Sequence, residues 1–124
     1  MPTQTPEECD AMFEKYVNES NLDALVALYE PEAALCIPPG QVVIGTAAIR
    51  AALKPMFDAA FQVKCNVTQT FTAGEIAATY NNWTGTAKGP NGDEMSFSGK
   101  AIEICHRQPD GTWKFAIDDP YARG

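Results

Sequence analysis

The chain has 124 residues, of which 45% are hydrophobic and 20% are charged, a composition typical of one globular domain. Its formal net charge of −7 arises within residues 1–32, which hold eight acidic side chains and one lysine. Because such a surface repels phosphate groups and no Lys/Arg cluster follows, we expect neither nucleic acid nor membrane as a partner.

Two short amphipathic helices are predicted at the start of the chain. Residues 5–8, TPEE, are typical of a helix N-terminus, and apolar residues continue at helical spacing to about residue 18. Asn21 can cap a second helix whose apolar stripe extends to Tyr29. Pro31 is expected to end it.

A change from helical to strand patterns follows. Apolar runs at 33–37 and 42–44 flank a Pro-Pro-Gly turn and predict a small hairpin, and Gly45 begins a third helix. Long alternating runs rich in β-branched and aromatic residues then predict a four-stranded antiparallel meander over 62–73, 76–88, 95–107 and 112–119. The fold class is therefore α+β, with three N-terminal helices packed on a strongly curved, mainly antiparallel sheet that leaves a concave space.

The cysteines and the single histidine limit the chemistry that we expect. The four cysteines are far apart without a C-x-x-C pair, and His106 is the only histidine, so no metal site is predicted. No run of about 18 apolar residues and no secretion signal is present. Reduced thiols then indicate a soluble cytoplasmic protein, with residues 1–124 forming one domain.

Three strings resemble a known superfamily: NLDALVALYEPEA (21–33), GTAAIRAAL (45–53) and DGTWKFAIDDP (110–120). They are similar to the nuclear transport factor 2-like superfamily, in particular its SnoaL-like and ketosteroid isomerase-like branches. The resemblance covers nearly the whole chain and implies a cone-shaped pocket between helices and a curled sheet, and frequently a homodimer. It does not specify a reaction, because the superfamily includes isomerases, cyclases, hydrolases, dehydratases and inactive proteins.

The residues of steroid isomerases transfer poorly to this sequence. The resemblance puts Phe13 where those enzymes have a tyrosine, Ile37 where they have the base aspartate, and Glu103 near their second acid. Phenylalanine donates no hydrogen bond and isoleucine accepts no proton, so that mechanism is not supported. Tyr16 could replace Phe13 only if the helix were shifted, and His106 is the only partner for the acid–histidine chemistry of cyclase-like relatives.

Turn positions predict which strand residues face the interior. A last hairpin closed at 107–112 pairs Lys100 with Asp119, and a turn at 91–92 places Trp83 opposite Lys100. Asp119, rather than Asp118, is then expected inside. The predicted pocket-lining residues are Phe13, Tyr16, Tyr29, Trp83, Asn81, Lys100, Ile102 and Phe115.

The isomerase comparison predicts that the other set of alternating strand residues faces the interior. It places Glu103 and Asp118 inside, together with Tyr80 and Asn82, and a single β-bulge would reconcile the two predictions. The candidate catalytic carboxylates are therefore Asp119, Glu103 and Asp118. Each has a structural alternative, since strand-end acids are often solvated and a Lys–Asp contact can be an ordinary surface ion pair.

Two functions are compatible with these patterns. The first is an enzyme of the isomerase, cyclase or hydratase type, without metal or organic cofactor, that acts on a small apolar molecule by carboxylate acid–base chemistry. The alternative is a catalytically silent, dimeric ligand-binding or protein-interaction module. For either one we expect a homodimer, because Met95, Phe97 and Tyr80 would lie on the outer sheet face.

Overall fold

The structure is a computed structural model that describes residues 3–124. It has three helices, α1 (Pro6–Asn18), α2 (Leu22–Val26) and α3 (Thr46–Asp58). The seven strands are β1 (Tyr29–Leu35), β2 (Val43–Ile44), β3 (Gln62–Lys64), β4 (Val67–Ala73), β5 (Ile76–Lys88), β6 (Glu94–Arg107) and β7 (Trp113–Asp119).

All seven strands belong to one open, curved sheet in the order β2-β1-β7-β6-β5-β3, with β4 also paired to β5. Every pair is antiparallel except β1 with β7, which is parallel. The α+β class and the mainly antiparallel sheet are confirmed. No helix in the described part of the chain has the length and apolarity needed to cross a membrane.

The second helix is shorter than predicted. It ends at Val26, and Tyr29 is the first residue of β1 instead of the last residue of a helical stripe. Pro31 disfavours the helical conformation at Glu30, and the backbone N–H of Phe115 donates to the carbonyl of Leu28 at 2.8 Å. Strand pairing with β7 therefore replaces the last helical turn, and β1 begins four residues before the strand predicted over 33–37. The predicted hairpin of that strand with residues 42–44 is confirmed, since β1 pairs with β2 in antiparallel orientation.

The predicted strand over residues 62–73 is divided into β3 and β4. Between them the Asn66 N–H donates to the Asn81 side-chain oxygen at 2.9 Å, and the Cys65 N–H donates to a Glu14 carboxylate oxygen at 2.6 Å. Side chains from β5 and α1 thus satisfy backbone groups where the pairing is interrupted. The break leaves Cys65 beside the interior of the fold.

The predicted register of β5 against β6 is wrong by one residue. Trp83 lies opposite Gly99, not Lys100, because the loop contains the five residues 89–93 instead of a two-residue turn. A shift of one residue exchanges the two faces of a strand. Lys100 is exposed and Ile102 lies on the outer face, which corrects their predicted place in the interior.

A β-bulge lies between β6 and β7. Cys105 pairs with Phe115, but Ile104 pairs with Ile117, so Ala116 is an additional residue in β7. The bulge reverses the alternation of the side chains that follow it.

The bulge decides the orientation of the two adjacent aspartates. Phe115 and Asp118 are both buried, whereas Ile117 is 44% exposed and Asp119 is only partly buried. The prediction that Asp119 faces the interior is therefore wrong, and Asp118 has that place. Glu103, opposite Asp118 on β6, is also buried.

Candidate functional site

The inner face of the sheet carries a line of polar side chains at its centre. Thr79 and Asn81 on β5, Glu103 on β6 and Asp118 on β7 are all buried, with exposed fractions of 0%, 4%, 3% and 4%. Asp10 on α1 reaches the same place and is 2% exposed. Three carboxyl groups from three separate elements therefore meet in the interior.

The three carboxyl groups and Asn81 line a cavity of about 300 Å³ between the sheet, α1 and α3. The rest of the wall is apolar and aromatic, and its main members are Phe13, Leu35, Met56, Phe61, Trp83 and Phe115. The volume lies at the small end of the range for ligand pockets, about 300–1,000 Å³. A mostly apolar cavity lined by a few polar groups is the usual form of a small-molecule site.

Glu103 is held by two neighbours on β5. The Thr79 hydroxyl donates to Oε1 at 2.8 Å, and the Asn81 amide approaches Oε2 at 3.5 Å. Burial raises the pKa of Glu103 well above its ordinary value, and the hydrogen bond and charge of Asp10 raise it further, although Thr79 and Asn81 act in the opposite direction. The protonated form of Glu103 is therefore favoured over that of an exposed glutamate.

Asp118 is held by a tyrosine from a different strand. The Tyr29 hydroxyl on β1 donates to Oδ2 of Asp118 at 2.6 Å. Burial, together with the charge of Glu103, raises the pKa of Asp118 to about 8, while the bond from Tyr29 partly opposes this shift. Asp118 is thus a second proton donor at neutral pH.

Asp10 has a lower pKa than Asp118 and is the better proton acceptor of these two groups. Burial raises its pKa to about 6, and its contacts with Glu103 and Thr79 limit the shift. Its Oδ2 atom is buried and has no hydrogen-bond partner among the described residues. Sequence reasoning missed Asp10, although it lies three residues before Phe13 and seven before Val17, on the apolar stripe of α1. A carboxylate on such a stripe is the signal that could have identified it.

The predicted site residues separate into two groups. Those that line the cavity are Phe13, Asn81, Trp83, Glu103, Phe115 and Asp118. Those outside it are Asp119, Lys100, Ile102 and Tyr16, of which Tyr16 packs against the hydrophobic core. Tyr29 is buried behind Asp118 and reaches the site through that carboxyl group.

The two positions that argued against a steroid isomerase are both at the cavity. Phe13 and Ile37 contribute to its wall, as does Glu103, so the tyrosine and the base of that mechanism are replaced by apolar groups. His106 lies on the outer face and contacts Glu30, with Nδ1 2.9 Å from the carboxylate oxygen. It is remote from the acids, which gives an acid–histidine pair no support.

The chain segment after β7 covers part of the cavity. The Trp83 indole N–H donates to the carbonyl of Pro120 at 2.8 Å, and Tyr121 packs edge-on against the Trp83 ring at 5.5 Å. Gly99 allows this approach, since a Cβ atom there would lie 2.7 Å from the Pro120 carbonyl oxygen. Pro120 and Tyr121 thereby become part of the wall.

The arrangement combines proton donors and a proton acceptor in an apolar enclosure. Asp118 and Glu103 can donate, Asp10 can accept, and the Tyr29 hydroxyl orients Asp118. Among residues 3–124 no three His, Cys, Asp or Glu side chains are arranged to hold a metal ion. The chemistry open to these side chains themselves is proton transfer.

Comparison with known proteins identifies the type of domain. A family described as SnoaL-like domain matches residues 10–116. No curated protein matches the sequence significantly.

Solved structures share the fold at low sequence identity. A conserved protein from Planctomyces limnophilus is 15% identical with a TM-score of 0.82, over 91% of this chain and 89% of the other. A ketosteroid isomerase-like protein from Erwinia carotovora atroseptica is 16% identical with a TM-score of 0.77, over 91% and 89%. The epoxide hydrolase/cyclase-like enzyme SalBIII, with a role in pyran ring formation in salinomycin, is 22% identical with a TM-score of 0.67, over 93% and 88%.

Proposed function

The chain belongs to the SnoaL-like family of the nuclear transport factor 2-like superfamily, and from this premise we propose that it is an acid–base enzyme acting on a small apolar molecule. The cavity would be the cone-shaped pocket expected of the family. Asp118 and Glu103 would donate protons to an oxygen of the substrate, and Asp10 would accept one from carbon or from water. No metal or organic cofactor is required for these steps.

One observation carries the proposal: three buried carboxyl groups line one cavity, and burial raises the pKa values of two of them, Asp10 and Asp118, to different extents. The pKa of Asp10 is raised to about 6 and that of Asp118 to about 8, both by burial, so at pH 7 a base and an acid coexist. Groups whose pKa values lie on either side of the working pH are suited to paired acid and base roles. The apolar walls support this assignment, because they keep water away from the transferred proton.

The reaction class follows from what such a set of groups can do. Asp118 or Glu103 would protonate a substrate oxygen while Asp10 removes a proton. With an unsaturated ketone, these two transfers move the double bond. With an epoxide, they allow a hydroxyl group of the substrate, or water, to attack the ring carbon and open the ring. The solved structures that share the fold include proteins described as isomerase-like and epoxide hydrolase/cyclase-like, which supports the same range. We propose this shared proton-transfer step, not one named substrate.

The test begins with binding and continues to turnover. A thermal-shift screen of small cyclic ketones, epoxides and aromatic acids selects ligands, because a ligand that binds only the folded state raises its melting temperature. NMR in D₂O then detects isomerisation, ring opening or deuterium incorporation. We expect kcat/KM to be bell-shaped in pH, with limbs near 6 and 8 that correspond to Asp10 and Asp118.

Matched variants identify the groups responsible. Asp118→Asn should lower kcat/KM by about 10²–10⁴-fold, the usual contribution of a general acid. Asp119→Asn changes the adjacent carboxyl group, which lies outside the cavity. This variant should keep kcat/KM within about twofold of the wild-type value. Ligand binding without turnover or deuterium exchange in any compound would refute the enzyme and leave the silent binding module.

The homodimer is a separate proposal. Its support is the outer sheet face, where Phe71, Ile76 and Ile117 are 55%, 54% and 44% exposed, since monomers rarely leave such groups uncovered together. The prediction that Met95 and Phe97 also lie on this face is wrong, because both are in register with inner-face residues of β5 and the Phe97 ring lies 6.0 Å from that of Phe61. Light scattering at micromolar concentration should give twice the mass of 13.4 kDa, and the monomer mass would refute it. We also propose a cytoplasmic location, which the four free cysteines support.

A further inference from the structure

We propose that Tyr121 is the specificity-determining residue of the cavity, because its ring limits the size of the ligand that can enter. In the same proposal, Arg123 is the positioning residue that holds this ring in place. The inference rests on the proposed function in one respect: it assumes that the same cavity binds a small apolar substrate. Both residues belong to the chain after β7, residues 120–124, which we call the closing segment.

The exposed part of the cavity wall marks its mouth. Of the described residues that line the cavity, only Pro38, Pro39 and Tyr121 are exposed. The two prolines follow β1 and the tyrosine follows β7. Because these strands are adjacent and parallel, both segments lie at the same edge of the sheet. The mouth therefore lies between the Pro-Pro turn and the closing segment.

An irregularity of the sheet turns the closing segment towards the cavity. Asp119 is the last residue of β7 that pairs with β6, and backbone pairing resumes where the Arg123 N–H donates to the Lys100 carbonyl at 2.9 Å. The three residues between them, 120–122, oppose a single residue of β6, Ala101. An insertion of this kind redirects side chains out of the regular alternation. It brings the middle one of the three, the tyrosine, to the mouth.

The ring of Tyr121 is fixed by contacts with Trp83. The two ring centroids are 5.5 Å apart, with 67° between the ring planes, and the Trp83 indole N–H donates to the carbonyl of Pro120 at 2.8 Å. Trp83 is itself a buried part of the wall. Of the three exposed wall residues, Tyr121 has the longest side chain, so its ring decides how much of the mouth is open.

The other end of the closing segment is attached to the outer face of the sheet. Nη2 of Arg123 donates to the Asn82 side-chain oxygen and to the Ala101 carbonyl, both at 3.0 Å. The guanidinium carbon lies 4.7 Å from the centroid of the Tyr80 ring. Hydrogen bonds from a charged donor and a cation–π contact make this attachment stronger than ordinary surface contacts. Because Arg123 is two residues from Tyr121, its attachment also fixes the position of the tyrosine.

A ring at the mouth selects ligands by size and not by charge. The closing segment contributes Pro120 and Tyr121 to the wall, and neither carries a charge. One methylene group in an apolar pocket changes the preference between two substrates by about 10–200-fold. An aromatic ring at the mouth is therefore sufficient to distinguish ligands that differ by one fused ring.

The experiment compares ligands of two sizes that carry the same polar group. 2-Naphthol has two fused rings and 2-anthrol has three, and fluorescence titration at pH 7 measures the dissociation constant of each with the full chain. Tyr121→Ala should raise the affinity for 2-anthrol relative to that for 2-naphthol by about tenfold or more, because the larger ring system gains access. Tyr121→Phe retains the ring and should keep the wild-type ratio within about twofold.

Phe97→Ala is the matched control. Phe97 and Tyr121 are 38% and 36% exposed, but Phe97 does not line the cavity, so its loss should keep the ratio within about twofold. If Tyr121→Ala fails to fold, Tyr121→Trp tests the same point in the opposite direction, since a larger ring should lower the ratio. An unchanged ratio in the folded variant, or no binding of either compound to wild type and variant, overturns the inference.

Arg123→Met tests the positioning role. It removes the hydrogen-bond donors and should shift the ratio in the same direction as Tyr121→Ala, by about two- to fivefold, the equivalent of an exposed cation–π contact. Lys100→Met removes another exposed cation from the outer face and should not shift it. In the double variant the ratio should equal that of Tyr121→Ala alone, because Arg123 acts through the tyrosine. Additive effects would overturn the positioning role.

The outcomes also separate this inference from the proposed function. A size preference that changes in Tyr121→Ala, without turnover of any compound in the screen, would refute the enzyme and keep the specificity-determining residue. Turnover of neutral ketones or epoxides, with the same size preference in wild type and Tyr121→Ala, would refute the role of Tyr121 and keep the acid–base enzyme.

Discussion

The two faces of the sheet hold carboxyl groups in opposite environments. On the inner face Glu103 and Asp118 are buried without a basic partner. On the outer face of β6, three residues from Glu103, His106 is exposed and contacts Glu30 of β1 at 2.9 Å. Acidic side chains are present on both faces, but only the acid on the outer face contacts a basic group.

The different surroundings shift the pKa values of the acids on the two faces in opposite directions. Burial raises the pKa of Asp118 to about 8 on the inner face. Partial burial also acts to raise the pKa of Glu30, but hydrogen bonds from Gln108 and His106 outweigh it and hold the pKa below its ordinary value. Carboxyl groups become potential proton donors only where the fold withholds both water and counter-charge. This comparison can be tested by changing one residue on each face.

The largest expected difference is in packing. Phe115 is 1% exposed and its ring centroid lies 5.1 Å from that of Tyr29, whereas Ile117, two residues later, is 44% exposed. Phe115→Ala should lower the free energy of unfolding by about 3–5 kcal/mol, because a buried ring is replaced by a cavity. Ile117→Ala should cost about 0.5 kcal/mol or less in the monomer.

Urea unfolding of both variants at two protein concentrations measures these values and separates packing from association. If Ile117→Ala were as costly as Phe115→Ala at the lower concentration, the assignment of inner and outer faces would be wrong.

The second difference is in the pH dependence of stability. The pKa of Asp118 is about 8 in the folded chain and lies near 3.8 for an unburied aspartate, so between these values the folded state binds more protons. The contribution of this group is complete below pH 4 and is lost as the pH rises towards 8. Asp118→Asn should therefore make the decline in stability between pH 5 and 7 shallower by about 1 kcal/mol per pH unit.

Asp119→Asn is the matched variant on the outer side, and it should change that slope little. Denaturant unfolding at pH 5, 6 and 7 compares the three proteins. Equal slopes for wild type and Asp118→Asn would contradict a buried, neutral Asp118.

The pattern of residues predicted the fold class but not which residues of β6 and β7 face the cavity. Alternation in β5 predicts that Trp83 and Asn81 share a face, and the structure agrees. The length of the loop at 89–93 and the extra residue Ala116 determine which residues of β6 and β7 lie on the same face as Trp83 and Asn81. A change of one residue in that loop would alter the set. Loops and bulges of this kind change the register by one and leave hydrophobic alternation almost unaltered, so the sequence alone could not decide between Asp118 and Asp119.

Two further parts of the site depend on long-range pairing. Tyr29 fits a helical stripe as well as a strand, and only parallel pairing of β1 with β7 brings its hydroxyl to Asp118. Asp10 is far from the sheet in sequence and belongs to the site because α1 packs across the strands. Contacts between residues so distant in the chain leave no local pattern to detect.

The third difference concerns two tyrosines. Tyr29→Phe removes the donor to Asp118, and because that bond lowers the pKa of Asp118, its loss should raise the pKa above its wild-type value of about 8. Stability should fall by about 1–2 kcal/mol, the usual cost of a lost hydrogen bond to a buried group. Tyr80→Phe, on the outer face, should affect neither quantity. NMR titration of ¹³C-labelled aspartate carboxyl groups follows the pKa directly, and a downward shift in Tyr29→Phe would contradict the inferred role of the hydroxyl.

The smallest difference is expected for the outer-face ion pair. The side chains of His106 and Glu30 are 46% and 25% exposed, so water and salt screen their attraction. His106→Ala should change the free energy of unfolding by about 0.5 kcal/mol or less, and raising the salt concentration should reduce the effect further. Because the cavity lies on the other face, the variant should also retain wild-type kcat/KM. A loss of activity of about tenfold or more in His106→Ala would show that the two faces are coupled, and the separation drawn between them would then fail.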